Sequence, residues 1–339
     1  MRDVVVVRIA VVGAGFWGLN HLRVLSEIPN VELVGVCDTD VSRAARAAKR
    51  FGVSKYFSYL DELLEKTEPD ALTICTPSTT HVTLALRALN AGCDVLIEKP
   101  MASTIEEAVH IIEKKDEMKR RVMVGFIERF NPAVQFAKNL IDTGEVGDVL
   151  LFYGRRIGSW PERIGDTGVV KDTAIHDIDL VTWIFQSMPE RIYAMCGRLR
   201  HSYEDHAQIF LSYGKGRSAL LEANWLTPRK KREMHITGEN GVVSVRFIEQ
   251  EVILEKADQV VIPNLKYVEP LKNELMHFVD CVEKKTEPIV NAYDGFRATL
   301  IAECILDSAQ TNTPVNPADY ARELYAEKYV VKGFGAARI

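Results

Sequence analysis

The 339-residue chain has no apolar run near the ~18 residues that would cross a bilayer, so no membrane-embedded role is expected. It also lacks a basic excess. Its 42 Lys and Arg stand against 47 Asp and Glu, a net charge of −5, which speaks against nucleic acid as a partner because phosphate contacts need cations. The six cysteines (Cys37, Cys75, Cys93, Cys196, Cys281 and Cys304) are scattered and form no Cys-x-x-Cys pair. That spacing argues against a zinc centre and a disulfide framework, and for a reduced, cytoplasmic protein. The opening Val4–Val7 run has no small-residue cleavage site and is broken by Arg8, so it reads as a strand and not as a signal peptide. There is no internal repeat and no low-complexity segment. With 47% hydrophobic and 26% charged residues the chain is expected to fold, and its length suggests about two domains.

Through residue 125, short apolar runs (Ile9–Val12, Val31–Cys37, Ala71–Cys75, Val95–Ile97, Val122–Val124) alternate with helical stretches (His21–Ile28, Val41–Phe51, Val82–Ala91, Ile105–Met118). Strands buried on both faces and separated by amphipathic helices imply βαβ units, hence a doubly wound parallel sheet of the Rossmann kind over residues 1–125. After Gly125 the pattern changes. One helix, Asn131–Asp142, is followed by strand-like segments at Val149–Ile157, Ile192–Leu199, Ala207–Tyr213, Ser218–Trp225, Glu233–Thr237, Gly241–Phe247 and Glu251–Glu255, interrupted by a helix at Ala174–Phe185. Turn signals at Lys215-Gly216 and Glu239-Asn240-Gly241 predict a large, mainly antiparallel open sheet. The fold class is therefore α/β followed by α+β. Helices at Leu271–Lys284 and Tyr293–Ala309 complete a second domain over residues 126–316, and residues 317–339 read as a tail of one short helix and extended chain.

Gly13-Ala14-Gly15-Phe16-Trp17-Gly18 follows a predicted strand and opens a predicted helix, and Asp38 ends the next strand. In that context the glycines have separate tasks: Gly13 makes the tight turn, Gly15 lets a pyrophosphate approach the backbone, and Gly18 lets helix and strand pack closely. The helix N-terminus, including Phe16 and Trp17, then meets the anion with its N–H groups. Asp38 should accept hydrogen bonds from the adenosine ribose and repel a 2′-phosphate, which favours NAD over NADP. Arg43, five residues on, is expected to lie solvated on its helix.

Further segments fall in register with this half. Cys75-Thr76-Pro77-Ser78-Thr79-Thr80-His81 sits at a strand end, and Glu98-Lys99-Pro100 follows the next apolar strand; downstream lie Asp172, His176 and Asp179. Together these resemble the Gfo/Idh/MocA family of sugar and cyclitol dehydrogenases, over roughly residues 8–315. Within it, Gly125-Phe126-Ile127-Glu128-Arg129-Phe130-Asn131-Pro132 and the stretch from Gly168 to Asp179 resemble nucleotide-sugar 3-dehydrogenases acting on UDP-N-acetylglucosamine. Val169, Val170 and Lys171 depart from the glycine-containing pattern of many members. The resemblance implies that Lys99 and His176 line the site beside the nicotinamide, with Asp172 near the substrate, and that dimers or tetramers form through the antiparallel sheet.

The residue types suit hydride transfer from a secondary alcohol. His176 is the natural base for the hydroxyl proton, Lys99 supplies positive charge where alkoxide character develops, and Asp172 orients substrate or imidazole. A desolvated lysine can also serve as base, so the two roles are exchangeable. Thr76, Pro77 and His81 are expected to seat the nicotinamide ribose, and Glu98 to hold Lys99 or that ribose. Arg129 and Asn131 are candidates for the substrate cleft. Arg155, Arg156 and Arg163, or the run Arg229-Lys230-Lys231-Arg232, are candidates for a diphosphate, and Trp160 or Trp225 for a uracil ring. Asp177 is expected to complement the helix dipole. No metal is called for. The alternatives are an inositol or free-sugar dehydrogenase and, from another class, a non-catalytic sensor of cofactor or sugar.

Overall fold

The computed structural model describes residues 6–161 and 166–334. The expected opening strand therefore has Val4 and Val5 outside the described residues, and Arg163 lies outside them too. The chain divides into two compact units: Met1–Gly125 with Leu271–Gly295, and Phe126–Pro270 with Phe296–Ile339.

The first unit is built on strands β1 (Val7–Val12), β2 (Val31–Cys37), β3 (Tyr56–Phe57), β4 (Ala71–Ile74), β5 (Asp94–Ile97) and β6 (Val122–Val124). All pairs are parallel, in the order β3-β2-β1-β4-β5-β6. Helices α1 (Phe16–Ser26), α2 (Val41–Phe51), α3 (Leu60–Thr67), α4 (His81–Asn90) and α5 (Ile105–Met118) make the crossovers. Ile9 to Val12, Ala71 to Ile74 and Val95 to Ile97 are buried throughout, as strands covered on both faces must be. Side chains terminate the helices where the pattern demands it: Asp40 accepts from the Ser42 and Arg43 amides, and Thr104 from that of Glu107. In this strand order the sheet reverses direction of winding between β1 and β4, and a crevice opens there at the carboxyl ends.

The second unit contains α6 (Pro132–Asp142), β7 (Val149–Ile157), a π-helical turn (Val170–Ala174) running into α7 (Ile175–Phe185), then β8 (Arg191–Gly197), β9 (His206–Ser212), β10 (Ser218–Asn224), β11 (Lys231–Gly238), β12 (Gly241–Arg246), β13 (Glu251–Glu255) and β14 (Val260–Val261). These strands form one sheet in the order β14-β13-β12-β11-β7-β10-β9-β8. It is antiparallel except that β7 lies parallel to β10, so the first strand of the unit occupies the middle of the sheet. One face is buried in alternation, as in β9, where Ala207, Ile209 and Leu211 point inward.

Four helices follow: α8 (Pro270–Lys284), α9 (Ala292–Thr311), α10 (Pro317–Glu323) and α11 (Glu327–Val330). The continuous second domain expected over 126–316 is interrupted, because Leu271–Gly295 belongs to the first unit. The Val124 amide donates to Val290 O, Met123 bridges Asn291, and the Asn30 amide group donates to Glu283, so the returning chain covers the β6 edge. The expected tail is also held. Tyr329 is buried against Phe296 at 5.9 Å, and Arg297 donates to Lys332 O at 2.6 Å.

Candidate active site

In the first unit the glycine turn sits at the β1 carboxyl end. Gly13 has φ +91°, and a Cβ there would lie 2.7 Å from Cys75 O. A Cβ on Gly18 would lie 1.7 Å from Gly13 O, so α1 can approach β1 only because this position has no side chain. Gly15 differs: an added Cβ would meet nothing within 4 Å, which leaves an open cradle over the first amides of α1. That is the space a pyrophosphate needs. Phe16 is 65% exposed, and Trp17 packs against it edge to face at 5.5 Å. Both stand at the helix opening.

Asp38 is buried at the end of β2 and fixed by backbone donors, its Oδ2 accepting from the Ala14 amide at 2.8 Å and Oδ1 from that of Asp40 at 2.9 Å. Arg43 is not simply solvated. Its guanidinium is 3.4 Å from Asp38, with half of the side chain exposed. Thr76 is half-buried and Pro77 exposed beyond β4. His81 is placed otherwise than expected. It is 1% exposed, with Nδ1 2.8 Å from Pro100 O and Nε2 3.0 Å from Thr76 O, so the ring bridges the β4 loop to the Glu-Lys-Pro loop. Both ring nitrogens face carbonyl oxygens. His81 therefore links the two loops.

Glu98 is buried, with Oε1 3.1 Å from His21 Nε2 and Oε2 accepting from the Lys99 amide at 3.3 Å. His21, wholly buried on α1, ties the glycine-turn helix to the loop carrying Lys99. It was not singled out in the sequence, although the stripe Gly18, His21, Leu22, Leu25 has helical spacing and points inward. Lys99 is half-buried, and its bond to Pro100 is cis. Burial, with Glu98 and Glu274 adding to it, pushes the Cys75 thiol well above its ordinary range and keeps it protonated.

In the second unit, α7 is buried on nearly every side yet carries Asp177 and Asp179, at 1% and 2% exposure. Charges so placed need partners. Arg129 supplies one, its Nε donating to Asp179 Oδ2 at 2.7 Å and its Nη2 to Oδ1, with the guanidinium 5.2 Å over the Trp183 ring. Arg156 supplies the other, donating to Asp177 Oδ1 at 2.6 Å and Glu128 Oε1 at 2.8 Å. Gly154 makes room for this: a Cβ there would stand 3.2 Å from the Asp177 carboxyl carbon. Burial works to raise the Glu128 carboxyl, but Arg156 and Arg232 beside it hold it below the ordinary carboxylate range.

These contacts correct several expectations. Asp177 is the partner of a buried arginine and not merely a dipole-complementing acid. Arg129 is paired inside the unit with a buried acid of α7, and Arg156 engages Asp177 and Glu128 through Nε and Nη1 while its buried Nη2 has no hydrogen-bond partner among the described residues. Asn131 caps α6 through the Ala133 amide and donates to Glu128 and to Phe247 O. Arg155 lies on the sheet between Glu222 at 2.9 Å and Glu233 at 3.6 Å.

Asp172 and His176 remain together, on the π-helical turn and the first turn of α7, each 9% exposed. His176 stands edge-on to Phe126 at 6.4 Å. The Thr173 hydroxyl donates to Asp172 Oδ2 at 3.1 Å and accepts from Trp225 Nε1 at 2.9 Å. Among the described residues no group of three His, Cys, Asp or Glu side chains could hold a metal ion. No helix of the described residues is long and apolar enough to cross a membrane.

Residues 7–126 match the model of an oxidoreductase family with an NAD-binding Rossmann fold, and residues 134–244 match the Gfo/Idh/MocA C-terminal domain. An inositol 2-dehydrogenase of Acidothermus cellulolyticus is 28% identical over 91% of this chain and 94% of its own length. The scyllo-inositol 2-dehydrogenase (NAD(+)) of Bacillus subtilis is 27% identical over 91% and 96%. The solved structure of UDP-N-acetylglucosamine 3-dehydrogenase from Acidithiobacillus ferrooxidans superposes with a TM-score of 0.84 at 26% identity, covering 91% of this chain and 99% of that one.

Proposed function

Since the chain belongs to the Gfo/Idh/MocA oxidoreductase family, we propose that this NAD-dependent sugar or polyol dehydrogenase oxidises a secondary ring hydroxyl of a nucleotide sugar, C3 of UDP-N-acetylglucosamine being the favoured position. The observation that carries the cofactor reading is the open cradle at Gly15 beside a carboxylate clamped by the Ala14 amide. A second reading, oxidation of an inositol or a free sugar, is favoured by the inositol dehydrogenases among the relatives.

Bound NAD supplies the hydride acceptor. His176 takes the proton from the substrate hydroxyl, and the Lys99 ammonium stabilises the developing alkoxide. Asp172, its carboxylate oriented by the Thr173 hydroxyl, accepts a neighbouring substrate hydroxyl. Asp38 selects NAD through the ribose hydroxyls, and Arg43 tempers its repulsion of a 2′-phosphate. Support for a second copy as partner comes from the outer face of the sheet. Tyr193, Phe210, Leu220 and Tyr153 stand side by side across β8, β9, β10 and β7, and Phe210 and Leu220 are 46% and 47% exposed. Six cysteines without disulfides fit a cytoplasmic setting.

The test is NADH production by the full chain with UDP-N-acetylglucosamine, myo-inositol or glucose, each with NAD and NADP. Turnover with the nucleotide sugar and NAD is expected, falling about 10²–10⁴-fold in His176→Ala. Near-normal turnover in His176→Ala would exchange or remove the assigned roles. Tight NADH binding with no turnover on any polyol would favour the sensor.

A further inference from the structure

One end of the second unit's sheet gathers rings and cations beside Asp172. Trp225 directly follows β10 and is 4% exposed. Its indole N–H can only donate, so the Thr173 hydroxyl that accepts it must send its own proton to Asp172. Around Trp225 stand Trp160 at 5.5 Å and 82°, and His201 at 5.8 Å and 89°; Trp160 and His201 are 4.7 Å apart, and Tyr203 is 5.6 Å from His201. Here Trp160 and His201 are only half-buried, and Tyr203 is 44% exposed.

The loop that carries His201 and Tyr203 is held in shape. Asp205 accepts from the Leu199 and Arg200 amides, both at 2.7 Å. Its neighbour Glu204 accepts from the Val169 amide at its carbonyl and from the Val170 amide at its carboxylate, on the turn that carries Asp172. The same strand end carries charge. The Gly158 amide donates to Asn224 O, the Thr227 amide donates to Gly158 O, and a Cβ on Gly158 would lie 3.7 Å from Lys230 Cα, so exposed Arg229 and Lys230 adjoin the segment that leads to Trp160, while Lys231, opposite Ile157, lies on the outer face.

We propose that this cluster is the subsite for the nucleotide arm of the substrate, the base stacking on the Trp160, His201 and Tyr203 rings and the diphosphate meeting Arg229 and Lys230. The proposal rests on the nucleotide-sugar reading and gives it residues. An uncharged polyol needs no adjoining cations, whereas a nucleoside diphosphate uses both these cations and the aromatic platform. Base–aromatic stacking changes affinity by roughly tenfold or more.

The experiment titrates UDP alone into the full chain by calorimetry, with NADH affinity and melting temperature as folding checks. Wild type should bind UDP, and higher salt should weaken that binding. Trp160→Ala should weaken it at least tenfold, while Trp160→Phe stays close to wild type. Tyr203→Ala, at an exposed position, gives the same reading if Trp160→Ala folds poorly. A double Arg229→Gln, Lys230→Gln variant should weaken UDP without altering NADH affinity. Absence of UDP binding, or equal binding by Trp160→Ala and Tyr203→Ala, overturns the subsite. NADH production is scored separately: UDP held by these rings without turnover keeps the subsite and defeats the reaction. Turnover of UDP-N-acetylglucosamine with an unchanged KM in Trp160→Ala defeats the subsite and keeps the reaction.

Discussion

Three alanine substitutions in one turn separate glycines that the fold requires from a glycine that the ligand requires. At Gly18 the new Cβ would have to move from 1.7 Å to at least 3.0 Å from Gly13 O, a displacement of about 1.3 Å between backbones that cannot rotate away. Overpacking of that kind costs typically 1–3 kcal/mol, and a backbone collision lies at the upper end or beyond it. Gly13→Ala suffers twice, from φ +91° and from the 2.7 Å approach to Cys75 O, for a cost of about 1–3 kcal/mol from the conformation alone. Gly15→Ala should be nearly silent in stability. The residue has φ −79° in extended backbone, and its Cβ enters open space. The gain from a less flexible unfolded chain, about 0.4–1 kcal/mol, roughly offsets the poorer helix cap. Yet that Cβ would stand where the pyrophosphate must lie, so NADH affinity should fall at least tenfold, about 1.4 kcal/mol. Thermal melting and NADH fluorescence titration read the two effects. With about 2–4 °C per kcal/mol for units of this size, Gly18→Ala should melt at least 4 °C lower and Gly15→Ala within a few degrees of wild type. NADH binding by Gly15→Ala within twofold of wild type would refute the assignment of that cradle to a pyrophosphate.

Two other outcomes follow from buried charge and buried thiols. Glu128→Gln removes a partner of the buried Arg156, which keeps Asp177, so a loss of about 3 kcal/mol is expected at neutral pH. Because the Glu128 carboxyl is held below its ordinary range, its contribution is present above the unfolded pKa and is lost as pH falls through the folded one. The melting curves of variant and wild type should therefore converge below about pH 4, and a constant gap across pH would contradict the role of this carboxylate. Burial, with Asp38 adding to it, pushes the Cys37 thiol up to about 12, and burial pushes Cys93 to about 12 as well. Iodoacetamide at pH 8 should leave both unlabelled in the native protein and label them after denaturation; rapid native labelling would mean that these strands open.

What was readable in the sequence follows from which forces act locally. Strands β2 and β6 and helices α2 and α5 match their expected bounds, because continuous apolar runs and side-chain caps act within a few residues. Strand β3, two residues long, and helix α3 leave too short a periodic trace to be seen. The position of β7 beside β10 is a different matter: alternation shows which face of a strand is buried but not which strand it pairs with. The same limit governed the site. The glycine turn and Asp38 carry their chemistry in their spacing. Arg129 and Arg156, by contrast, look the same in sequence whether they await an anion or neutralise one. The clue lay elsewhere, in two aspartates on a helix that is mostly Ile, Leu, Val, Trp and Phe. Buried carboxylates there required two cations from outside the helix, and the pairs Arg156–Asp177 and Arg129–Asp179 are 21 and 50 residues apart.

The return of Leu271–Gly295 to the first unit bears on how the polypeptide matures. The β6 edge receives Val290 and Asn291 only after the whole eight-stranded sheet has been translated, so an emerging chain holds an incomplete nucleotide-binding half while the other half is still being made. A fragment ending at Gly125 would carry that raw edge permanently and be prone to self-association through it. Chimaeras that exchange the second unit between relatives accordingly need three junctions, at Gly125, Pro270 and Gly295.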